Sequence, residues 1–423
     1  MARSKLIGLV LAAGMFFAVR YLSTKMTQCP HRKTTMPRDP SPQTGRGRCW
    51  RLMRGEPADV NTASSPPSDA RVNTGIERGC VALLPRYQRR RPVVEEEKVF
   101  PLAFALIVHT APGQVDQLMR TIYRSHNVYC IHVDRKARRS VGLLSQWAQC
   151  FHNVLVLQEV EVVYGGAGLV TAARACMRML ANTHVKWKYY IILSGQEFVL
   201  KTNLEIVQIL KLLNGTNDIE QYPFPEHLRW RFETRYSVIN GTMMTRLVDA
   251  KPAFKQNITL YKGSMYGMFS RGFVLFILES KIAAELIDWA EDSYAPEELV
   301  WATLNGLPGA PGGYNVTVKH DIALNQVLSR AVIWEWDRVP CHGKFVRSVC
   351  VFSYRDLPWL VSRPEIVANK FNSNFDQLVI DCLESWLHHK AMLSETINMN
   401  WYHYRNVPQS QQSTCKNCRR QSM

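Results

Sequence analysis

Residues 99–195 predict an α/β fold with a parallel, doubly wound sheet. Apolar runs of strand length recur there, they alternate with stretches of helical length, and no internal repeat interrupts the alternation. FPLAFALIVH (Phe100–His109) comes first, a run apolar enough for a strand buried on both faces. A helical stretch, Gln114–Tyr123, leads to the strand VYCIHVD (Val128–Asp134). Helix Val141–Cys150, strand Asn153–Leu157, helix Leu169–Thr183 and the buried strand YYIILSG (Tyr189–Gly195) follow. Ligands of such sheets lie beyond the carboxyl ends of the strands. Asp134 closes the second strand, where either a nucleotide-contacting carboxylate or an ordinary turn aspartate would stand. The second half reads as mixed: helix Lys281–Asp292, the segment YAPEELVW, short strands around AVIWEW and VRSVCVF, and a closing helix Phe375–His389. No Pro/Gly-rich linker divides residues 99–390, so one domain is expected, with a C-terminal tail over 391–423.

The formal charge of +17 raises the question of nucleic acid, and its distribution answers it. Residues 1–92 hold 17 Lys+Arg against 5 Asp+Glu, whereas residues 93–423 hold 35 against 30. The body is near balance and carries no zinc-finger spacing, aromatic RNA-binding stripe or basic recognition helix, so no nucleic-acid partner is expected. The basic N-terminal part instead contains LIGLVLAAGMFFAV (Leu6–Val19), flanked by Arg3 and Lys5 before it and by Arg20 and Lys25 after it. Extended to Leu22, this run suits the thin membranes of the early secretory pathway. A cleaved signal peptide is the competing reading, but no small-x-small site follows Leu22. The expected layout is a cytoplasmic tail (1–5), a type II signal-anchor helix (6–22), a flexible lumenal stem (23–98) rich in Pro, Ser, Thr, Arg and Gly, and the lumenal domain.

Two features agree with a lumenal body. N-x-[ST] sequons occur at Asn214, Asn240, Asn257 and Asn315. Eleven cysteines are spread along the chain without paired zinc-type spacing, and Cys341 with Cys350 looks like a loop staple. The octapeptide YAPEELVW sets two carboxylates, Glu297 and Glu298, just after a proline, which by itself reads as a helix start.

Several stretches then converge on one family. FPLAFALIVHTAPGQVDQLMRTIY…NVYCIHVDRKA, WKYYIILSGQEFVLKTNLEIV, GSMY (Gly263–Tyr266), SYAPEELVWATL, CHGKFVRSVCVF and DLPWL…ANKF stand in order. Together they resemble the core 2/I-branching β-1,6-N-acetylglucosaminyltransferases from about Phe100 to His389. The resemblance implies a GT-A type fold, with a Rossmann-like nucleotide-binding sheet and a mixed acceptor-binding half. It implies an inverting, metal-independent transferase that moves GlcNAc from UDP-GlcNAc in β-1,6 linkage onto a Gal or GalNAc residue of a glycoprotein glycan. No cofactor or metal is expected, and the sequence contains no D-x-D; Asp218-Ile-Glu220, Glu159-Val-Glu161 and Glu335-Trp-Asp337 are near misses. A Golgi membrane location fits the anchor, and free cysteines near the membrane leave a homodimer open.

Carried over position by position, the resemblance makes Glu298 the catalytic base. It makes Arg347 and Lys370 the cations that replace a metal on the departing diphosphate. Ile107, Val108, Asp134 and Tyr164 would surround the uridine; Glu220, Arg231, Trp334 and Trp336 would meet the acceptor. Core packing is the plain alternative for both tryptophans, and Trp301 could underlie the site or be a core residue. The implied disulfides are Cys130–Cys176, Cys341–Cys350, Cys80–Cys150 and Cys382 with Cys49 or Cys29. The sequence departs from the family at the acceptor wall. A family lysine falls on Leu228, Trp336 replaces a tyrosine, Ala167-Gly168-Leu169 replaces W-S-R, and C-G-x-D-F-P reads SGQEFV from Ser194. Each lost contact is worth about 1–3 kcal/mol. An altered acceptor is therefore expected, with another nucleotide sugar such as UDP-xylose, or a weak or inactive family member that binds a glycan or a partner, as alternatives.

Overall fold

The structure, a computed structural model, describes residues 45–58, 79–87, 92–314, 327–393 and 399–410. Its centre is a six-stranded sheet in the order β3-β2-β1-β4-β9-β6. β1 (Leu102–Val108), β2 (Val128–Val133), β3 (Val154–Leu157) and β4 (Tyr189–Ser194) are mutually parallel. All seven residues of β1 are buried, the consequence of helices on both faces of a central parallel strand. The crossovers are the helices α1 (Pro112–Ile122), α2 (Arg138–Ala148) and α3 (Gly168–Ala181). After β5 (Glu197–Val199), α4 (Asn203–Leu213) opens on a capping box in which Thr202 and Glu205 satisfy each other's backbone N–H.

The sheet then changes character. β6 (Asp218–Pro223) pairs antiparallel with β9 (Tyr261–Ser270), and β9 runs antiparallel to β4. Between them β7 (Thr234–Ile239) and β8 (Met243–Ala250) form a separate hairpin. α5 (Arg271–Glu279), α6 (Lys281–Ala290) and α7 (Glu297–Asn305) follow, and α7 lies along β9. Gly263 makes that contact possible: a Cβ there would stand 2.2 Å from the Glu220 carbonyl oxygen and 2.7 Å from Ala302 Cβ. The last strands are the hairpin β10 (Lys344–Val346) and β11 (Val349–Val351), and β12 (Val367–Asn369) on β5. α8 (Gln377–Met392) closes the domain.

The chain differs from expectation in three places. Residues 23–98 are not flexible throughout. A helix at Gly45–Met53 buries Trp50 and is joined to α8 through Cys49–Cys382, and a helix at Gly79–Tyr87 is joined through Cys80–Cys150. The low periodicity of this stretch hid them, because tertiary contacts and cross-links hold short helices that propensity alone does not. The tail is also partly packed: a helix at Trp401–Asn406 buries Tyr404, whose hydroxyl donates to Pro364 O at 2.8 Å. Finally, AVIWEW is not a strand; only single bridges at Ala331 and Trp334 form, and a turn follows. Cys130–Cys176 and Cys341–Cys350 complete the four disulfides of the described residues, and the choice between Cys29 and Cys49 falls on Cys49. Among the described residues no helix is long and apolar enough to cross a membrane; the expected anchor, Asn315, Cys29, Cys415 and Cys418 lie outside them.

Candidate active site

The carboxyl ends of β1, β2 and β4 open onto one side of the sheet. Ile107 and Val108 end β1, and Asp134 follows β2 with its N–H donating to Val108 O at 2.8 Å. The Asp134 carboxylate is almost fully buried. Its Oδ1 accepts from the Lys136 N–H at 2.9 Å, so it is at once a turn aspartate and a charge at a strand end. His109 links this corner to the next element. Burial holds its imidazole below the ordinary range, with Asp134 pulling upward and Arg347 and Lys136 pushing further down.

Arg347 is placed by the hairpin β10–β11. Val346 faces Val349, so Arg347 and Ser348 form a two-residue turn with φ of 54° and 60°. Such turns favour Asn-Gly; a non-glycine residue in the left-handed region costs about 1–2 kcal/mol. Surrounding contacts impose it. The Glu335 N–H donates to Ser348 O, Ser348 Oγ donates to Glu335 Oε2, both at 2.9 Å, and Cys341–Cys350 ties the base of the hairpin. The guanidinium ends 4.2 Å from the centre of the exposed Tyr164 ring. Lys370 follows β12 and its ammonium donates to Val346 O at 2.8 Å. Burial lowers its pKa, and the Arg347 charge lowers it further. Neither cation is paired with a carboxylate among the described residues.

Trp334 and Trp336 stack face to face at 5.1 Å beside this hairpin. They occupy a turn, in which the Trp334 N–H donates to Asp337 Oδ2 at 2.8 Å. In a strand these two side chains would point in the same direction but stand apart; the turn folds them together. Relative exposures of 39% and 71% rule out the core reading. Trp301, by contrast, is a fully buried core residue 6.2 Å from Phe269.

The second cluster gathers at the start of α7. Glu298 Oε2 is ion-paired with Arg231, from the short helix Trp230–Glu233, and with Lys262 of β9 at 3.0 Å. Glu220 of β6 is raised in pKa by burial, drawn down by Lys262 and up again by Glu298. Glu220, Glu298, Arg231 and Lys262 thus form a neutral group of two carboxylates and two cations. Glu297 points elsewhere. It is buried, its Oε2 has no hydrogen-bond partner among the described residues, and burial together with the Glu298 charge pushes it up to about 8. It is at the helix start, as the sequence predicts, but it is a neutral acid at ordinary pH and not a solvated one. Leu228, where the resemblance places a lysine, lies on the turn Glu226–Leu228.

A short loop joins the two clusters. Gly165, next to Tyr164, accepts at its carbonyl from the Ala295 N–H at 2.7 Å. A Cβ on Gly165 would come within 2.8 Å of the Tyr294 ring. Tyr294 in turn donates its N–H to Arg231 O at 2.7 Å. Gly165, Ala295, Tyr294 and Arg231 therefore connect the Tyr164–Arg347 pair to Glu298.

Sequence reasoning missed Lys262 and a buried support beneath Lys370. Glu197, at the position of the family aspartate, is ion-paired with Arg330 at 2.8 Å. It also accepts from the Ser194 N–H at 2.6 Å and from Asn369 Nδ2 at 3.0 Å. Burial raises its pKa against the pull of Arg330, whose guanidinium lies 3.9 Å from the Tyr266 ring centre. The near miss Asp218-Ile-Glu220 also resolves: Asp218 accepts from the Leu328 and Ser329 N–H groups, whereas Glu220 joins the α7 cluster. Among the described residues no group of three His, Cys, Asp or Glu is arranged to hold a metal ion.

An α/β sheet with two cations that have no carboxylate partner among the described residues at the mouth of its parallel half, and a held carboxylate in its other half, has the layout of a glycosyltransferase. Residues 102–361 match the family described as Branch: Core-2/I-Branching enzyme. The chain belongs to that family. It is 38% identical to the human β-1,3-galactosyl-O-glycosyl-glycoprotein β-1,6-N-acetylglucosaminyltransferase over 321 residues, 72% of this chain and 74% of that one. It is 36% identical to the mouse N-acetyllactosaminide β-1,6-N-acetylglucosaminyl-transferase, covering 74% and 79%. The solved structure of mouse xyloside xylosyltransferase 1 matches at a TM-score of 0.26 and 13% identity, over 47% of this chain and 79% of that one. The chain is a branching glycosyltransferase, taking a nucleotide-sugar donor and a glycan acceptor.

Proposed function

We propose that this transferase moves GlcNAc from UDP-GlcNAc, with inversion and without a divalent metal, in β-1,6 linkage onto a Gal or GalNAc residue of a glycoprotein glycan. The observation that carries the reading is the contrast of charges in the site. Glu298 is held by two cations, while Arg347 and Lys370 have no carboxylate partner among the described residues. A diphosphate supplies what that second pair lacks. Ile107, Val108 and Asp134 line the place of the uridine, with Tyr164 beneath the Arg347 guanidinium.

Both cations on Glu298 engage Oε2, which leaves Oε1 to the acceptor. As the acceptor oxygen bonds to the anomeric carbon, its proton passes to Glu298. The bond from that carbon to the β-phosphate oxygen breaks, and its electron pair leaves on UDP, where Arg347 and Lys370 balance the charge. Attack and departure on opposite faces give inversion in a single displacement. Glu220 and Arg231 border the acceptor hydroxyls, and the stacked Trp334 and Trp336 offer an apolar face to sugar C–H groups.

A single-pass type II protein of the Golgi membrane, with this domain in the lumen, suits the four disulfides and the exposed sequon residues Asn214, Asn240 and Asn257. The test uses the full chain, purified in detergent with its disulfides intact. UDP-GlcNAc, EDTA and acceptors including Galβ1-3GalNAc and poly-N-acetyllactosamine are supplied, with UDP-xylose as competitor. A β-1,6-GlcNAc product formed in EDTA and abolished in Glu298→Gln is expected. UDP binding without turnover on any acceptor would instead support a glycan- or partner-binding family member.

A further inference from the structure

Lys262 has no assigned role, yet its environment is unusual for a lysine. It sits on β9 opposite Tyr222 of β6, with its side chain only 11% exposed. An ammonium group so far from water is costly unless it is paired. Its Nζ lies 3.0 Å from Glu298 Oε2 and donates to Gly263 O at 2.7 Å, with the Tyr222 ring centre 5.7 Å away. Glu220 and Glu298 both hold the ammonium in its charged form. An ammonium has three N–H groups. Two are occupied by Glu298 and Gly263, and the third faces the Tyr222 side chain, a neutral partner that an oxygen brought by a ligand can displace.

The position on the turn Glu226–Leu228 where the resemblance places a lysine cannot do this work. Leu228 is apolar, and the neighbouring Arg229 is exposed and paired with Glu233 at 2.7 Å. Resting on the transferase reading above, we infer that Lys262 is a positioning and acceptor-selecting residue. It fixes Glu298 through Oε2, so that Oε1 faces the attacking hydroxyl, and it offers its remaining N–H to a second oxygen of the acceptor sugar. The cation that reads the acceptor thus comes from the sheet, on β9, instead of from position 228. An acceptor is chosen whose second oxygen lies on the β9 side of the reacting hydroxyl. Gly263 is part of the device, since only glycine lets α7 approach β9 closely enough to bring Glu298 to Lys262.

The experiment compares the parent, Lys262→Met, Lys262→Arg and Lys262→Met/Leu228→Lys as full chains. Acceptor kinetics against pH, UDP calorimetry and melting temperature are measured on each. Lys262→Met is expected to lose at least 10-fold in kcat/KM with UDP affinity unchanged. The acid limb of its pH profile should move to higher pH, because an ionised carboxylate has lost a neighbouring cation. Lys262→Arg should keep the parental limb, and the double variant should recover activity while reordering its preference among acceptors. A Lys262→Met protein with parental rate and pH profile would overturn the inference. So would a loss that follows UDP affinity and melting temperature and that Lys262→Arg shares. Should the parent form no product, the transferase reading falls, and carboxylate NMR of glutamate-labelled parent and Lys262→Met then decides. A Glu298 titration that rises in the variant upholds the positioning role, and one that does not move refutes it.

Discussion

The two ends of the site handle charge in opposite ways. At the mouth of the parallel half, Arg347 and Lys370 stand together without a carboxylate partner among the described residues, and their proximity lowers the Lys370 pKa below what burial alone would do. At the start of α7, Glu298 is ion-paired with Arg231 and Lys262, and Glu220 feels both Lys262 and Glu298, so the charges of the group offset one another. The first arrangement is unfavourable until an anion arrives, so it binds charge. The second is already satisfied, which suits a neutral ligand and leaves its charges for orientation. In the proposed function one end receives a nucleoside diphosphate and the other a hydroxyl.

Breaking the orienting end at its centre should have the largest effect. Glu298→Gln keeps the shape but cannot accept a proton, and kcat should fall by ~10²–10⁴-fold while UDP affinity by calorimetry is unchanged. Removing a donor cation sharpens the contrast from the other side. Arg347→Ala or Lys370→Ala should weaken UDP binding by roughly 10–150-fold, from ~1.5–3 kcal/mol per charged contact, and the loss should shrink at high salt. Gly263→Ala attacks the junction between α7 and β9, where its Cβ meets the Glu220 carbonyl at 2.2 Å. About 1–3 kcal/mol of stability should be lost, read as a lower melting temperature.

Glu297 gives a pH test. Its folded pKa of about 8 lies above the ordinary carboxyl value of 4.5, so the folded protein binds the extra proton. Stability from this group is greatest at low pH and declines as pH rises from about 4.5 to about 8, then levels off. Glu297→Gln should remove that decline, so the melting temperatures of variant and parent should diverge between pH 5 and pH 8, with the variant higher at the alkaline end. The smallest effect is expected at the rim. Trp336→Ala should raise the acceptor KM by about 2–10-fold, the worth of one aromatic contact, and leave UDP binding alone.

The parallel half was legible from the sequence almost to the residue. FPLAFALIVH became β1 (Leu102–Val108) and YYIILSG became β4 (Tyr189–Ser194). A strand buried on both faces must be apolar throughout, and that demand shows in the letters. Glu298, Arg347 and Lys370 were singled out because motif order carries position even when chemistry at a single residue is ambiguous. Lys262 was not found, since a lysine beside GSMY is indistinguishable from a solvated one until β9 and α7 are packed. The helix Gly45–Met53 was missed for a related reason: its reason to exist is Cys382 and α8, far along the chain.

The sequence by itself determined what local period and motif spacing can specify: the alternating strands and helices, the carboxylate that opens α7, the hairpin arginine and the lysine after β12. Tertiary structure alone decided which charges are compensated. Glu297 and Glu298 are adjacent in the chain, yet one is buried without a partner for Oε2 and the other is held by two cations. A helix sends neighbouring side chains in different directions, and what each meets depends on β6, β9 and the turn at Arg231. Desolvation and ion pairing are properties of those meetings, so they are absent from the sequence until the chain has folded.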